Sequence, residues 1–230
     1  MWLIKLWMKW TIKRAAYRIL EGRYIDRNHP QRGRFSRQQV DRFLEQTWRN
    51  LDVMEPKAEL DQLTNLGNRQ NVFMSVASLA GYRALLDDGI EPAYATELFS
   101  DIGWRVYVAL FQPLRFLARL RYRDEPQKQV NFILRAFMRY PFSEPGYQGE
   151  ASEEADHFRT DWTRCAPLEY VKIHGREGEL AFFFNTWCMY DWALAQIMTA
   201  DGWYEREHTL SDGDEVCDMR WYAGTAKEYS

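Results

Sequence analysis

An α+β protein is what the residue pattern predicts, with a mainly helical amino-terminal region packed on a small carboxy-terminal α+β module that ends in a hairpin. Apolar residues recur at three- and four-residue spacing from the start of the chain to Tyr140. A Pro, Gly and Glu-rich connector, Phe142 to Glu154, then interrupts that pattern. Beyond it, alternation with period two at Phe158–Cys165 and Glu215–Tyr222, the latter following Ser211-Asp-Gly-Asp214, signals strands and a turn.

Met1 to Leu20 contains neither Gly nor Pro and reads as a helix. Ile4, Met8, Ile12, Ala15 and Ile19 fall on one side, and Leu3, Leu6, Trp10 and Tyr17 on another. Lys5, Lys9 and Lys13 form one charged lane between them, Arg14 and Arg18 a second. So many charges argue against a membrane span. The segment reads as a helix bridging two packed elements, with membrane-surface contact through residues 1–20 as the second reading. Tyr24 to Phe35 is a loop or arm, and Ser36 with Gln39 forms a capping box opening a helix to about Asn50. Residues 58–87 keep helical spacing with an interruption at Gly67, and Asp88-Gly89 ends it.

Glu91-Pro92 starts the next helix, which Pro113 is expected to kink or divide. Arg105, Arg115 and Arg119 mark this apolar stretch as buried or partner-facing rather than membrane-spanning. Another helix covers about Pro126 to Arg139. After the connector come a strand at Phe158–Cys165, a short helix at Pro167–His174 and a single longer helix from Glu179 to Ala200. On that helix Phe184, Cys188, Asp191, Trp192 and Ala195 share a face. Trp203–Leu210 and Glu215–Tyr222 then form the hairpin, with Cys217, Met219 and Trp221 on one side. The chain thus divides into a basic helical arm and loop (1–50), a helical region (51–141) and a cysteine-containing module (155–222), or forms one continuous domain.

The net charge of −3 hides an asymmetry, because residues 1–50 carry twelve Lys or Arg against four Asp or Glu. Docking between two halves of the protein, or a solvated face, is the ordinary origin of such a split. Nucleic acid is set aside as a partner, since no reading motif accompanies the basic arm. An oligomer is compatible with these features. Aromatic residues at 16%, ten of them Trp, point to aromatic helix contacts or an apolar pocket. Gly-rich phosphate loops, Ser-His-Asp signatures and His-Glu-x-x-His motifs are absent from the sequence, which disfavours nucleotide enzymes and the familiar hydrolase classes.

Cys165, Cys188 and Cys217 are the only cysteines, and their odd number excludes a fully paired disulfide framework. With no secretory leader at the start, a reducing cytoplasm and free thiols are expected. Separations of 23 and 29 residues are unlike zinc ribbons or redox pairs. Each thiol lies on a different element, so only the fold would bring them together.

Asn68-Arg-Gln-Asn-Val-Phe, Gly81-Tyr-Arg-Ala-Leu-Leu-Asp-Asp-Gly, Cys165-Ala-Pro, Trp187-Cys-Met-Tyr-Asp191 and Gly213-Asp-Glu-Val-Cys-Asp218 occur in that order. This set resembles the L-2-amino-thiazoline-4-carboxylic acid hydrolase family over about residues 65–222. Its most specific part is the ordered cysteines, with Asp191 three residues after Cys188 and the Gly-Asp-x-x-Cys-Asp ending. The chain departs from the family at Met219, where an aromatic is common, and the resemblance leaves the basic amino-terminal residues unexplained. The cysteine-bearing end is also similar to vinyl-reductase-type ligand-binding domains, which implies a small-molecule pocket without requiring catalysis.

The resemblance implies a hydrolase that opens a small C–N/C–S ring or amide-like substrate. Such chemistry needs a nucleophile at an amidine-like carbon, a proton donor for the leaving sulfur and an anchor for a carboxylate. A thiolate would serve as nucleophile if a cation or a helix amino terminus lowered its pKa. A hydroxide on a soft divalent metal would serve instead, with Cys165, Cys188, Cys217, His157, His174 and His208 as candidate ligands. Asp191 or Asp214 would handle protons and Arg164 or Arg220 hold the carboxylate. Asn68, Asn71 and Tyr82 in the matched helical segments are further candidate substrate contacts. A non-enzymatic binder of a small molecule or soft metal, and a same-fold enzyme for an apolar substrate, remain alternatives.

Overall fold

The computed structural model describes residues 2–224. It is α+β, with helices leading into a four-stranded antiparallel sheet.

Helix α1 (Trp2–Leu20) buries Met8, Ile12, Ala15, Ala16 and Leu20 against α2 (Arg37–Met54) and α4 (Pro92–Arg121). It thus lies against two packed helices, as expected, but through one buried stripe, while Leu3, Leu6 and Trp10 of the second apolar stripe are exposed, as is Trp7. The capping box at the start of α2 is present, Ser36 and Gln39 each receiving the other's backbone N–H on a side-chain oxygen. That helix runs to Met54, and two 3₁₀ turns, Glu55–Ala58 and Leu60–Gln62, occupy the stretch expected to begin the next one.

Helix α3 (Leu66–Asp87) starts under an Asn65 cap and is buried on nearly every side from Gly67 to Leu85, which makes it the central helix. Gly67 belongs to its first turn rather than interrupting it, and it is glycine where a Cβ would lie 2.7 Å from the Pro141 backbone. Helix α4 begins with the Glu91 carboxylate accepting from the Ala93 and Tyr94 N–H groups and passes through Pro113 undivided. The expected division fails for a local reason. Pro113 deprives only the Ala109 carbonyl of its helical donor, and Ala109 is exposed to water that can take its place. Helix α5 (Pro126–Arg139) matches its expected bounds.

The connector is not irregular throughout, since Tyr147–Glu153 forms strand β1 at one edge of a sheet ordered β1-β2-β4-β3. Only Tyr147 of β1 is buried, so no apolar alternation marked it as a strand. Strand β2 (His157–Cys165) turns Phe158 and Thr160 inward, with Trp162 half-buried on the same side. Strand β4 (Cys217–Tyr222) buries Cys217, Met219 and Trp221, and pairs with β2 at Thr160–Met219 and Trp162–Cys217. Strand β3 (Trp203–Glu205) is shorter than expected, and the long excursion that follows it replaces a tight hairpin.

The helix expected over 179–200 is broken. Helix α6 (Ala166–His174) precedes α7 (Glu179–Phe183), a π-turn at Phe184–Cys188 and α8 (Tyr190–Met198). Buried residues from α1 through the sheet form one contiguous cluster spanning Met8 to Ala223.

Candidate functional site

Between α3, α4, α5, the π-turn and the inner face of the sheet lies a cavity of about 490 Å³. Aromatic and aliphatic side chains make most of its wall, among them Tyr107, Phe111, Phe137, Trp162 and Trp187. One end is polar: Cys188, Asp191, Arg206, Thr209, Ser211 and Cys217 all line it. Cys165, Tyr147 and Asn71 line it as well. The three free thiols therefore open into one cavity, each from a different element.

A chain of polar contacts joins two of them. Cys188 Sγ lies 3.3 Å from Ser211 Oγ, Ser211 Oγ 3.1 Å from Thr209 Oγ1, and Thr209 Oγ1 3.4 Å from Cys217 Sγ. Cys217 also accepts the Leu210 N–H at 3.3 Å. The loop is held in turn by Asp214, whose carboxylate accepts from Thr209 N at 2.7 Å. Burial pushes the Cys188 thiol up to about 12, and hydrogen bonding to Ser211 and the Arg206 charge only partly oppose it. The same cause drives Cys165 far above the thiol range and raises Cys217. These are neutral thiols, so the expected activation to thiolate is not met in this geometry.

Asp191 has the environment of a general base. Burial raises its carboxyl to about 6, against the lowering effects of Arg206 and of the Tyr204 hydroxyl, which donates to Oδ2 at 3.2 Å. Arg206 Nη1 stands 3.4 Å from the same oxygen and from the Cys188 carbonyl, with its side chain 4% exposed. The guanidinium lies over the Trp192 ring at 4.7 Å and near the Phe184 ring at 6.0 Å. The π-turn explains this division of labour: Trp187, Cys188, Asp191 and Leu194 reach the cavity, whereas Phe184, Trp192 and Ala195, expected on the same face, do not.

Several expected site residues lie elsewhere. Asn68 is fully buried against Gly146, outside the cavity, with neither side-chain polar atom hydrogen-bonded. Asn71 is in the wall and donates to the Tyr147 hydroxyl at 3.0 Å. Tyr82 stacks on Phe182 at 4.2 Å in the core. Arg164 is held by both oxygens of Glu169 at 2.8 and 2.9 Å, and Arg220 by Asp161 at 2.6 Å, so neither faces the cavity. Asp214 acts from outside as a loop clamp. His157 pairs with Asp156, His174 lies against the Tyr170 ring and His208 pairs with Asp218 on the surface.

Among the described residues, no three of Cys165, Cys188, Cys217, Asp191 and His157 bring ligand atoms within 4.8 Å of one another. Among the described residues the one group at that spacing is Glu207, His208 and Asp218, in which Asp218 accepts from both the Glu207 and the His208 N–H. Sequence reasoning missed Arg206, Thr209, Ser211 and Tyr147. Gly202, Tyr204 and Arg206 do alternate toward the interior, a period-two signal that continues past β3. Thr209 and Ser211 gave no comparable signal, because an irregular loop places them. No protein-family model matches the chain, and no curated protein or solved structure shows significant similarity to it.

Proposed function

We propose that the protein is a small-molecule hydrolase that opens a C–N/C–S ring or an amide-like group at the polar end of the cavity. One observation carries the reading: a carboxyl raised to about 6, a buried guanidinium and a hydroxyl–thiol relay meet at the end of an apolar chamber. The sequence resemblance to L-2-amino-thiazoline-4-carboxylic acid hydrolases supports the same class. Free thiols fit a reducing, cytoplasmic setting.

In this reading Asp191, ionised at neutral pH, takes a proton from water as the water oxygen bonds to the electrophilic carbon. The carbon–sulfur or carbon–nitrogen bond then breaks, its electron pair passes to the leaving atom, and the proton held by Asp191 returns to that atom. Arg206 holds a substrate carboxylate or the oxyanion that forms. Cys188 and Cys217 take part as neutral hydrogen-bonding groups joined through Ser211 and Thr209, while the apolar wall accepts the rest of the substrate.

Turnover of aminothiazoline carboxylates and of N-acyl amides with apolar tails tests the proposal. Asp191→Asn is expected to lower kcat by about 10²–10⁴-fold, and Cys188→Ser by less than about tenfold. Loss of all activity in Cys188→Ser with the fold intact would replace water by the thiol as nucleophile. A second reading, a binder without turnover, is favoured by the apolar wall. Tight binding of such amides with no product formed would select it.

A further inference from the structure

The cavity reaches the surface at an apolar rim. Of the residues lining it, Pro113 and Leu117 on α4 and Tyr140 after α5 are exposed. Beside them on α4 stand Phe116 and Leu120, the latter 72% exposed. Helix α1 runs antiparallel along α4, since Arg23 just past its end pairs with Asp101 and Glu97 while Trp10 meets α4 in a groove that extends to Ala109. Trp2 lies eight residues before Trp10, and Phe116 eight after Val108, about 12 Å of helix in each case. The exposed Trp2, Leu3, Leu6 and Trp7 of α1 therefore stand level with the rim.

The two helical segments that frame this face carry cations and no carboxylate of their own. Helix α1 contributes Lys5, Lys9, Lys13, Arg14 and Arg18, and the stretch 103–123 contributes Arg105, Arg115, Arg119, Arg121 and Arg123, with no Asp or Glu in either segment. Lys5 and Lys9 pair with Glu55 and Asp52 of neighbouring turns. Arg14, Arg18 and Arg105 line the groove between the two helices beside Trp10 and Trp104, where Asp101 is engaged by Arg23. Among the described residues no helix is long and apolar enough to cross a membrane. Tryptophans, leucines and a phenylalanine with a fringe of cations fit the headgroup and acyl boundary of an anionic bilayer. A second copy of the chain would set this basic fringe against another.

We propose that this face docks on an anionic bilayer surface, so that the cavity mouth opens toward the lipid and takes an amphiphilic molecule from it. Docking stands apart from the hydrolase reading. Delivery rests on that reading's premise that the cavity holds the substrate.

Co-sedimentation of the full chain with phosphatidylserine-rich and pure phosphatidylcholine vesicles tests docking. Salt-sensitive binding to the former is expected, reduced at least about tenfold in Phe116→Glu/Leu120→Glu, whose side chains are exposed and whose melting temperature should be unchanged. Equal binding to both vesicles, or none, overturns the proposal. So does a dimer in sedimentation velocity that the double substitution dissociates, because a second copy would then cover the face. Transfer of an anthroyloxy-labelled stearate from the vesicles into the cavity tests delivery separately. A transfer rate that rises with vesicle concentration supports collisional delivery. A rate independent of vesicle concentration, or vesicle binding without transfer, overturns delivery.

Discussion

Asp191 is pulled in opposite directions, burial favouring the neutral carboxyl and Arg206 the carboxylate, and burial has the larger effect. A carboxyl raised from 3.8 to about 6 holds its proton in the folded chain where the unfolded chain has released it. Native stability from this group therefore falls as pH rises through that window and is fully restored below it. Replacing Asp191 by Asn removes the dependence. The stability difference between variant and parent should move in the variant's favour by up to about 3 kcal/mol from about pH 4 to about pH 7. Urea unfolding across that range reads it, and a flat difference would mean that Arg206 holds the carboxylate ionised throughout. The same group gives kcat/KM a rising limb near pH 6 if it is the base.

A second buried pair has no place in the cavity and belongs to stability. Arg83 grips both oxygens of Glu179 at 2.6 and 2.7 Å, and Glu179 also accepts the Arg176 N–H at 2.7 Å. With side chains 10% and 2% exposed, removing one partner strands a buried charge. Arg83→Met should cost about 3–5 kcal/mol, and Arg83→Met/Glu179→Leu should recover most of it, as chemical denaturation would show. The cysteines and Asp191 were legible as candidates because types and local spacing singled them out. Arg164, Arg220 and Tyr82 lie outside the cavity on other partners, and sequence shows a charge or a ring but not its partner across the fold.

At the scale of elements, the amino-terminal helices were legible from spacing and caps, as Ser36 with Gln39 and Pro126 at the start of α5 show. Strand β1 and the π-turn were not. Strand β1 lies at an edge with Glu150 and Glu153 in water, so its residues need no pattern beyond Tyr147. The π-turn keeps a helical composition and changes only the phase, which displaced Phe184 and Trp192 from the expected face.

Gly149 fixes how β1 meets β2. The register shifts between Gln148 and Gly149, where φ is +149° and a Cβ would lie 1.9 Å from the Asp161 carbonyl oxygen. Gly149→Ala should therefore destabilise the protein by about 1–3 kcal/mol and loosen Tyr147, measurable as faster amide exchange along β1. On α4, Gly103 leaves room for Tyr190, whose hydroxyl would stand 2.3 Å from a Cβ there and donates to the Ser100 carbonyl at 2.8 Å.

For the whole molecule, an apolar chamber bounded by both helices and sheet couples ligand occupancy to stability. Its walls come from α3, α4 and α5 on one side and from β2 and β4 on the other, so a bound apolar molecule would contact elements far apart in the chain. The sequence left that chamber as one of two readings, since 16% aromatic content fits aromatic helix contacts and a lined pocket equally well. An amphiphile that binds only the native state should stabilise it by about 2.7 kcal/mol at a free concentration one hundred times its Kd, raising Tm with concentration. Leu114→Trp narrows the chamber from its half-buried α4 wall and should weaken that binding while leaving the apo Tm nearly unchanged. Asp191→Asn, at the polar end, should spare the affinity of a ligand with an uncharged head while lowering the proposed turnover. If Leu114→Trp leaves affinity intact, the amphiphile binds outside the chamber, and the polar end is then reached only by molecules small enough to need no apolar wall.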